Sequence, residues 1–281
     1  MSSNTAPFAF GNAFRLEPLA TPHRGPAGQQ FGKGSGSSLE FQEFRDYQAG
    51  DDLRHVDWRA YARTRTLTTR LYREEIASTV ELLVDGSRSM ALSPAKEQTT
   101  RDLASFLAGA VQGESVLRSV LATDPPLPLP TDALRQAKEV DLPFTGNAPL
   151  DALPLATLLR AGTIRILLSD FLFPCDASAF LKKIGARASS LILLQVLDPE
   201  EWEPTSTGAL RMEDVETESW RDLTVDANTI RRYRQRLTRH CDALEAETRR
   251  IGGHYLRILA GRPLTETVMQ TLVPSGLVAP R

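Results

Sequence analysis

The chain has 281 residues, of which 41% are hydrophobic and 24% charged, with a net charge of −2. That is enough chain for one large domain or two modest ones around a sizeable core, with no overall electrostatic pull toward nucleic acid or anionic membrane. No apolar run reaches the roughly 20 residues that span a bilayer, and the opening MSSNTAPFAFGNAFRLEP lacks the basic start and apolar core of a secretion signal. Two cysteines, Cys175 and Cys241, lie far apart outside any CxxC or Cys/His cluster, which suits reduced thiols in a cytoplasm.

Residues 1–38 are rich in Gly, Pro, Ser and Ala and predict a flexible arm. The GKGS within it is not a phosphate loop, because Gly34 follows Lys33 where Ser or Thr is required. Residues 39–79 change character. Between 45 and 75 stand seven arginines and no lysine, set against six acids and the rings of Tyr47, Trp58, Tyr61 and Tyr72. Arginine pairs bidentately with carboxylates and stacks on rings, so this segment predicts fixed ion pairs or an interface. LTTRLY alternates as a half-buried strand, and Gly50-Asp51 reads as a turn.

From residue 80, strands and helices alternate. VELLVD (80–85) is a buried strand, and Ser93-Pro94 caps and opens a helix that Gly113 ends. SVLRSVLAT is a second strand, followed by a proline-rich connection with room for an edge strand. TDALRQAKEV and LDALPLATLLRAG both read as helical, with Pro154 early in the second or kinking it. TIRILLSD is a strand, ASAFLKKIGARA a helix, SLILLQVLD a strand, and residues 208–225 a hairpin or small added β element. Asp226 caps a long helix with an apolar stripe of Ile230, Tyr233, Leu237, Cys241, Leu244 and Ile251, and HYLRILA is the last strand. The pattern predicts an α/β domain over 80–275, with a doubly wound, mostly parallel sheet between helices and a tail over 276–281.

In such sheets the functional crevice lies beyond the carboxyl ends of the strands. Asp85, Asp170 and Asp198 each end a predicted strand there, although Asp198 before Pro199 reads first as a helix cap. A phosphatase of the Asp-x-Asp type is excluded by Ser87, which leaves no acid/base. A serine-hydrolase elbow is excluded by Arg88 and Ser89, which break Gly-x-Ser-x-Gly. The Asp-x-Ser-x-Ser spacing of Asp85, Ser87 and Ser89 offers three hard oxygens on a tight loop. With an aspartate such as Asp170 closing the far side, these can hold Mg²⁺ with one position open for an incoming carboxylate.

The DGSRSM after an apolar strand resembles the metal-ion-dependent adhesion motif of von Willebrand factor A domains. Upstream, EFQEFRDYQAGDDLRHVDWRAYARTRTLTTRLYREE resembles the signature of domain-of-unknown-function family fifty-eight, whose order RILLSDFL, VLDPEE, RMEDVETESW and YLRILAGRPL also follows. The resemblance covers roughly residues 30–275 and implies a von Willebrand A-like fold in a bacterial cytoplasmic protein. It also implies a MoxR-type AAA+ ATPase partner, contact with other von Willebrand A-type proteins, and no catalytic activity. By the same resemblance, Arg54, Asp57, Trp58 and Arg63 form a signature layer packed on the main domain. An intact adhesion site also takes a threonine from the loop before the fourth strand; Ala148 stands at that place, leaving Thr145 or Asn147 to reach in from a shifted loop. The expected Mg²⁺ site is therefore weak.

The four histidines show no metal-binding spacing, and the arginines of IRRYRQRLTRH are balanced by DALEAE, which points away from nucleic acid. Two function classes stay open. One is a non-enzymatic interaction module, with or without metal; the other is a hydrolase using Mg²⁺ on Asp85 and Asp170.

Overall fold

The computed structural model describes residues 6–17, 39–48, 56–74, 78–135 and 142–281. They fall into two compact units, one formed by residues up to 24 together with 78–281, the other by 25–77. In chain order the elements are α1 (Pro7–Gly11), β1 (Phe14–Leu16), β2 (Leu39–Asp46), α2 (Trp58–Thr64), β3 (Thr68–Glu74) and β4 (Ser78–Asp85). There follow α3 (Pro94–Val111), β5 (Ser115–Ala122), β6 (Leu127–Leu129), α4 (Thr131–Arg135), β7 (Ile164–Ser169), α5 (Ala177–Gly185) and β8 (Ser190–Leu197). The chain closes with α6 (Pro199–Trp202), β9 (Gly208–Asp214), β10 (Ser219–Val225), α7 (Ala227–Arg250), β11 (His254–Leu259), α8 (Leu264–Thr267) and β12 (Val278–Pro280).

The larger unit is the predicted α/β domain. Its sheet runs β11-β8-β7-β4-β5-β6, parallel throughout except for β6, which returns antiparallel to β5 as the edge strand. The chain winds outward from β4 to one edge, then crosses back and winds from β7 to the other. The reversal therefore lies between β4 and β7. Side chains alternate across the sheet as strand geometry requires. Val80, Leu82 and Val84 of β4 face α3 together with Ile166 and Leu168 of β7. Leu83, Leu167 and Leu193 face α5 and α7, meeting Phe180, Leu181 and Leu244.

The caps explain where the main helices begin. Ser93 accepts the Lys96 amide (3.1 Å) at the start of α3, and Asp226 accepts the Thr229 amide (2.7 Å) at the start of α7. The predicted helix over LDALPLATLLRAG does not form. Only a single 3₁₀ turn, Leu155–Thr157, appears after Pro154. Leu150, Leu153 and Leu155 are instead buried as separate anchors of a loop, a spacing that mimics a helical stripe.

Both chain ends depart from expectation. Residues 6–17 are not a flexible arm: Phe8, Phe14 and Leu16 are buried in the main core, and β1 pairs antiparallel with β12. A Cβ on Gly109 would lie 2.2 Å from the Phe8 carbonyl oxygen, and one on Gly11 would lie 2.1 Å from that of Phe106. The α1 segment therefore lies backbone to backbone on α3, and the Phe14 ring meets that of Phe106 at a tilt, with centroids 5.5 Å apart. Residues 276–281 are likewise no free tail, because Leu277 and Val278 are fully buried and Val278–Pro280 forms β12.

In the smaller unit β2 and β3 form an antiparallel pair with a register shift between Phe41 and Glu43, so TTRLY is a strand as predicted. Asp57 is buried and starts α2 by accepting the Arg59 and Ala60 amides at 3.0 Å. Its described neighbours in the expected signature layer are turned outward. Trp58 is 57% exposed and turns its edge to Tyr61, which is also exposed. Arg63 is exposed too. As the cap, Asp57 points inward with Val56, so the next residue is turned out to solvent. Arg54 and the Gly50-Asp51 turn lie outside the described residues.

Candidate functional site

The strand reversal brings Asp85 and Asp170 together, since β4 and β7 pair in parallel with Val84 opposite Leu168. Both carboxylates are 3% exposed. Asp85 Oδ1 accepts the Ser87 amide (2.9 Å) and its Oδ2 accepts the Ser169 hydroxyl (2.6 Å), while Ser169 Oγ takes the Phe171 amide (3.0 Å). Gly86 is required here, because a Cβ would lie 2.4 Å from the Thr123 methyl. The loop then lifts Ser87 and Ser89 side by side, their hydroxyls 2.9 Å apart. Beyond β7, Phe171 adopts the left-handed region at φ 52° with its ring fully buried, a costly turn for a non-glycine residue. This turn directs Asp170 inward, where Oδ1 accepts the Leu172 amide at 3.0 Å.

Asp170 has a partner that sequence reasoning did not find. Lys96, fully buried in the first turn of α3, donates from Nζ to Asp170 Oδ2 (2.9 Å) and to Glu201 Oε1 (2.7 Å). Burial opposes the ammonium's charge, yet the two carboxylates outweigh it and hold its pKa above the ordinary value. On Glu201 burial outweighs the nearby ammonium, and its carboxyl is pushed up. Asp198 is a helix cap, as its first reading had it: it forms a capping box with Glu201 on α6 and also receives the Ser93 hydroxyl. A signal for Lys96 was present in the sequence, since a lysine in the first turn of a helix opposes the helix dipole and needs a reason to be there.

Asp85, Ser87, Ser89, Asp170, Glu201 and Glu216 line one cleft of about 390 Å³. Thr145 is not among them. The loop that carries it is pinned against the motif by Gly146 N to Gly86 O (2.9 Å) and Arg88 N to Gly146 O (3.1 Å). Thr145, Asn147 and Ala148 consequently line a neighbouring hollow with Thr123 and Pro125.

Burial, followed by the charge of Asp170, raises the Asp85 carboxyl to about 6. Its folded value thus lies above the ordinary carboxylate value, so the folded state holds a proton that the unfolded chain has lost. Stability therefore falls as pH rises from about 4 to 6. Asp85→Asn should remove that penalty, raising stability at pH 8 by up to about 3 kcal/mol and changing it little at pH 4. Urea unfolding of both proteins at the two pH values checks this; an equal effect at both would mean that Asp85 does not carry the penalty.

Among the described residues no three His, Cys, Asp or Glu side chains are grouped closely enough to hold a metal ion by themselves. The mixed set of carboxylate and hydroxyl oxygens nevertheless fits Mg²⁺. An octahedron with bonds of about 2.0–2.1 Å has neighbouring oxygens about 2.9 Å apart, which matches Ser87 Oγ to Ser89 Oγ. Asp170 Oδ2 accepts the Lys96 ammonium, and both oxygens of Asp85 accept hydrogen bonds.

The family described as "Protein of unknown function DUF58" matches residues 43–118 and 136–243, well over half of the chain. Uncharacterized proteins of Mycobacterium tuberculosis and Mycobacterium bovis are 28% identical over 218 residues, which covers 71% of this chain and 68% of theirs. Among solved structures, BatB from Bacteroides thetaiotaomicron is similar at 14% identity and a TM-score of 0.41, covering 71% of this chain and 98% of that one. An aerotolerance-related membrane protein from Bacteroides fragilis is similar at 13% identity and a TM-score of 0.38, covering 65% and 92%. No described helix of the present chain is long and apolar enough to cross a membrane.

Proposed function

Because the chain belongs to the DUF58 family, whose function is unknown, we propose that it is a non-enzymatic interaction module that docks a partner at the cleft beyond β4 and β7. One observation carries this reading: Ser87 and Ser89 share a hydrogen bond with each other, and both oxygens of Asp85 already accept hydrogen bonds. The Asp85 carboxylate is thus held by the Ser87 amide and the Ser169 hydroxyl at the floor of a cleft of about 390 Å³.

Mg²⁺, where bound, would be held by Asp85, Ser87 and Ser89 and would supply a positive charge for a partner carboxylate. Three protein oxygens and a preoccupied Asp170 make this a weak site, because Mg²⁺ then keeps several waters. A metal-free scaffold is the second reading, favoured by the ammonium of Lys96 at Asp170. The partner implied by the family resemblance, a MoxR-type AAA+ ATPase, is the first to test.

Capture from the native cell, with and without EDTA, should retain an ATPase on the unaltered protein and lose it on Ser87→Ala/Ser89→Ala. Weakening by EDTA would support the metal-assisted form, and indifference the scaffold. A turnover screen with Mg²⁺ or Mn²⁺ that found hydrolysis abolished by Asp85→Asn would overturn the non-enzymatic reading.

A further inference from the structure

The ribbon β9–β10 ends over the cleft. Both strands are exposed along nearly their whole length, whereas Val215 and Glu216 at the tip are half-buried. A free hairpin shows the opposite gradient, with its tip the most solvated part. The tip is also built rigidly. Asp214 Oδ1 accepts the amides of Glu216 (3.0 Å) and Thr217 (3.1 Å), its carbonyl accepts the Glu218 amide (2.7 Å), and Glu218 takes a left-handed turn at φ 56°.

This turn delivers two acids to the DGSRSM loop. Glu218 Oε1 accepts Arg88 Nη1 at 2.5 Å on the outside, and the same nitrogen reaches the Val215 carbonyl at 3.5 Å. Glu216 points the other way and lines the cleft with Asp85, Ser87, Ser89 and Asp170. Burial, together with the charges of Asp170 and Asp85, raises its carboxyl above the ordinary value. Its carboxylate thus faces like charges, and a hydrogen bond with Ser89 together with the Arg88–Glu218 pair holds it there.

The geometry points to the β9–β10 hairpin as a lid on the cleft, latched by Arg88–Glu218, with Glu216 occupying the space that a docking partner's acidic side chain needs. This rests on reading the cleft as the docking site. The closed hairpin is a competitor carried by the chain itself, and docking requires the tip to lift. The latch pair is partly exposed, with 36% of the Arg88 and 67% of the Glu218 side chain accessible, so it is weak enough to open.

Hydrogen exchange on the whole protein tests the lid. Glu218→Asn keeps a residue that tolerates the left-handed turn but is too short to reach Arg88. The amides of residues 87–90 and 215–218 should exchange at least fivefold faster in this variant, while those of β4 and β7 stay unchanged. A second readout uses Ser89→Cys: iodoacetamide should alkylate it at least fivefold faster when Glu218→Asn is added. Unchanged rates in both measurements would overturn the lid. A wrong docking reading would show instead as a partner capture indifferent to Ser87 and Ser89, with the exchange rates still as expected.

Discussion

Lys96→Met should destabilise the protein by about 3–5 kcal/mol, the range found when one member of a buried ion pair is removed. Methionine matches the length of the lysine stem but leaves the Asp170 and Glu201 carboxylates facing each other without the ammonium that both accept at under 3 Å. Two buried negative charges must then take up protons or draw in water. The loss should therefore be larger at pH 8 than at pH 5, where Glu201, whose carboxyl burial already pushes up, can take a proton. Urea unfolding at the two pH values measures both quantities. A change under about 1 kcal/mol would place Lys96 among ordinary surface substitutions and remove it from the site.

Glu81→Ala should cost a similar amount at the other end of the same strands. Glu81 is 3% exposed, and its two oxygens accept from Arg118 Nη1 (2.6 Å), the Arg160 amide (3.0 Å), Thr163 Oγ1 (3.0 Å) and Arg165 Nε (3.1 Å). Arg165 is fully buried and spends its remaining donors on the carbonyls of Arg160 and Ile184. Removing Glu81 strands that guanidinium, for a loss of about 3–5 kcal/mol. Glu81→Leu combined with Arg165→Leu should recover part of the loss, because no buried charge is left unpaired. A double variant no more stable than Glu81→Ala alone would mean that the strands depend on the neighbouring backbone contacts rather than on the charge pair.

The two ion clusters mark the limit of what could be read from the amino-acid order. Strands β4, β7 and β8 were legible because both of their faces are apolar, and the aspartates at their ends stood out against Val and Leu. The helix starts at Ser93, Asp198 and Asp226 were legible because a cap is a local device. Lys96 carried only the faint signal of its place in a first turn, since its partners lie 74 and 105 positions away and a lone lysine on a helix ordinarily belongs to solvent. Residues 6–17 were hidden for a related reason: Phe8, Phe10 and Phe14 sit among Gly, Pro and Ala, and the surface they cover is supplied by α3 and β12. Leu150, Leu153 and Leu155 misled in the opposite sense, imitating a helical stripe while anchoring a loop. Of the site, Asp85, Ser87 and Ser89 could be named from their spacing and Asp170 from its place at the end of a strand. Glu216 could not, because its place depends on how a distant ribbon folds over.

The pairing of β1 with β12 has a consequence for how the protein is made. Phe14–Leu16 emerge from the ribosome early, yet their partners Val278–Pro280 are added more than 250 positions later. Until then Phe8, Phe14 and Leu16 are covered by α3 and α4 without β12, and closing so long a loop carries an entropic cost. The central strands lie between the two in sequence, so the β1–β12 pairing joins an earlier-made segment to a later-made one across the whole sheet. A nascent chain arrested before residue 278 would hold a nearly finished sheet with an apolar strip still open, the kind of surface that chaperones cover.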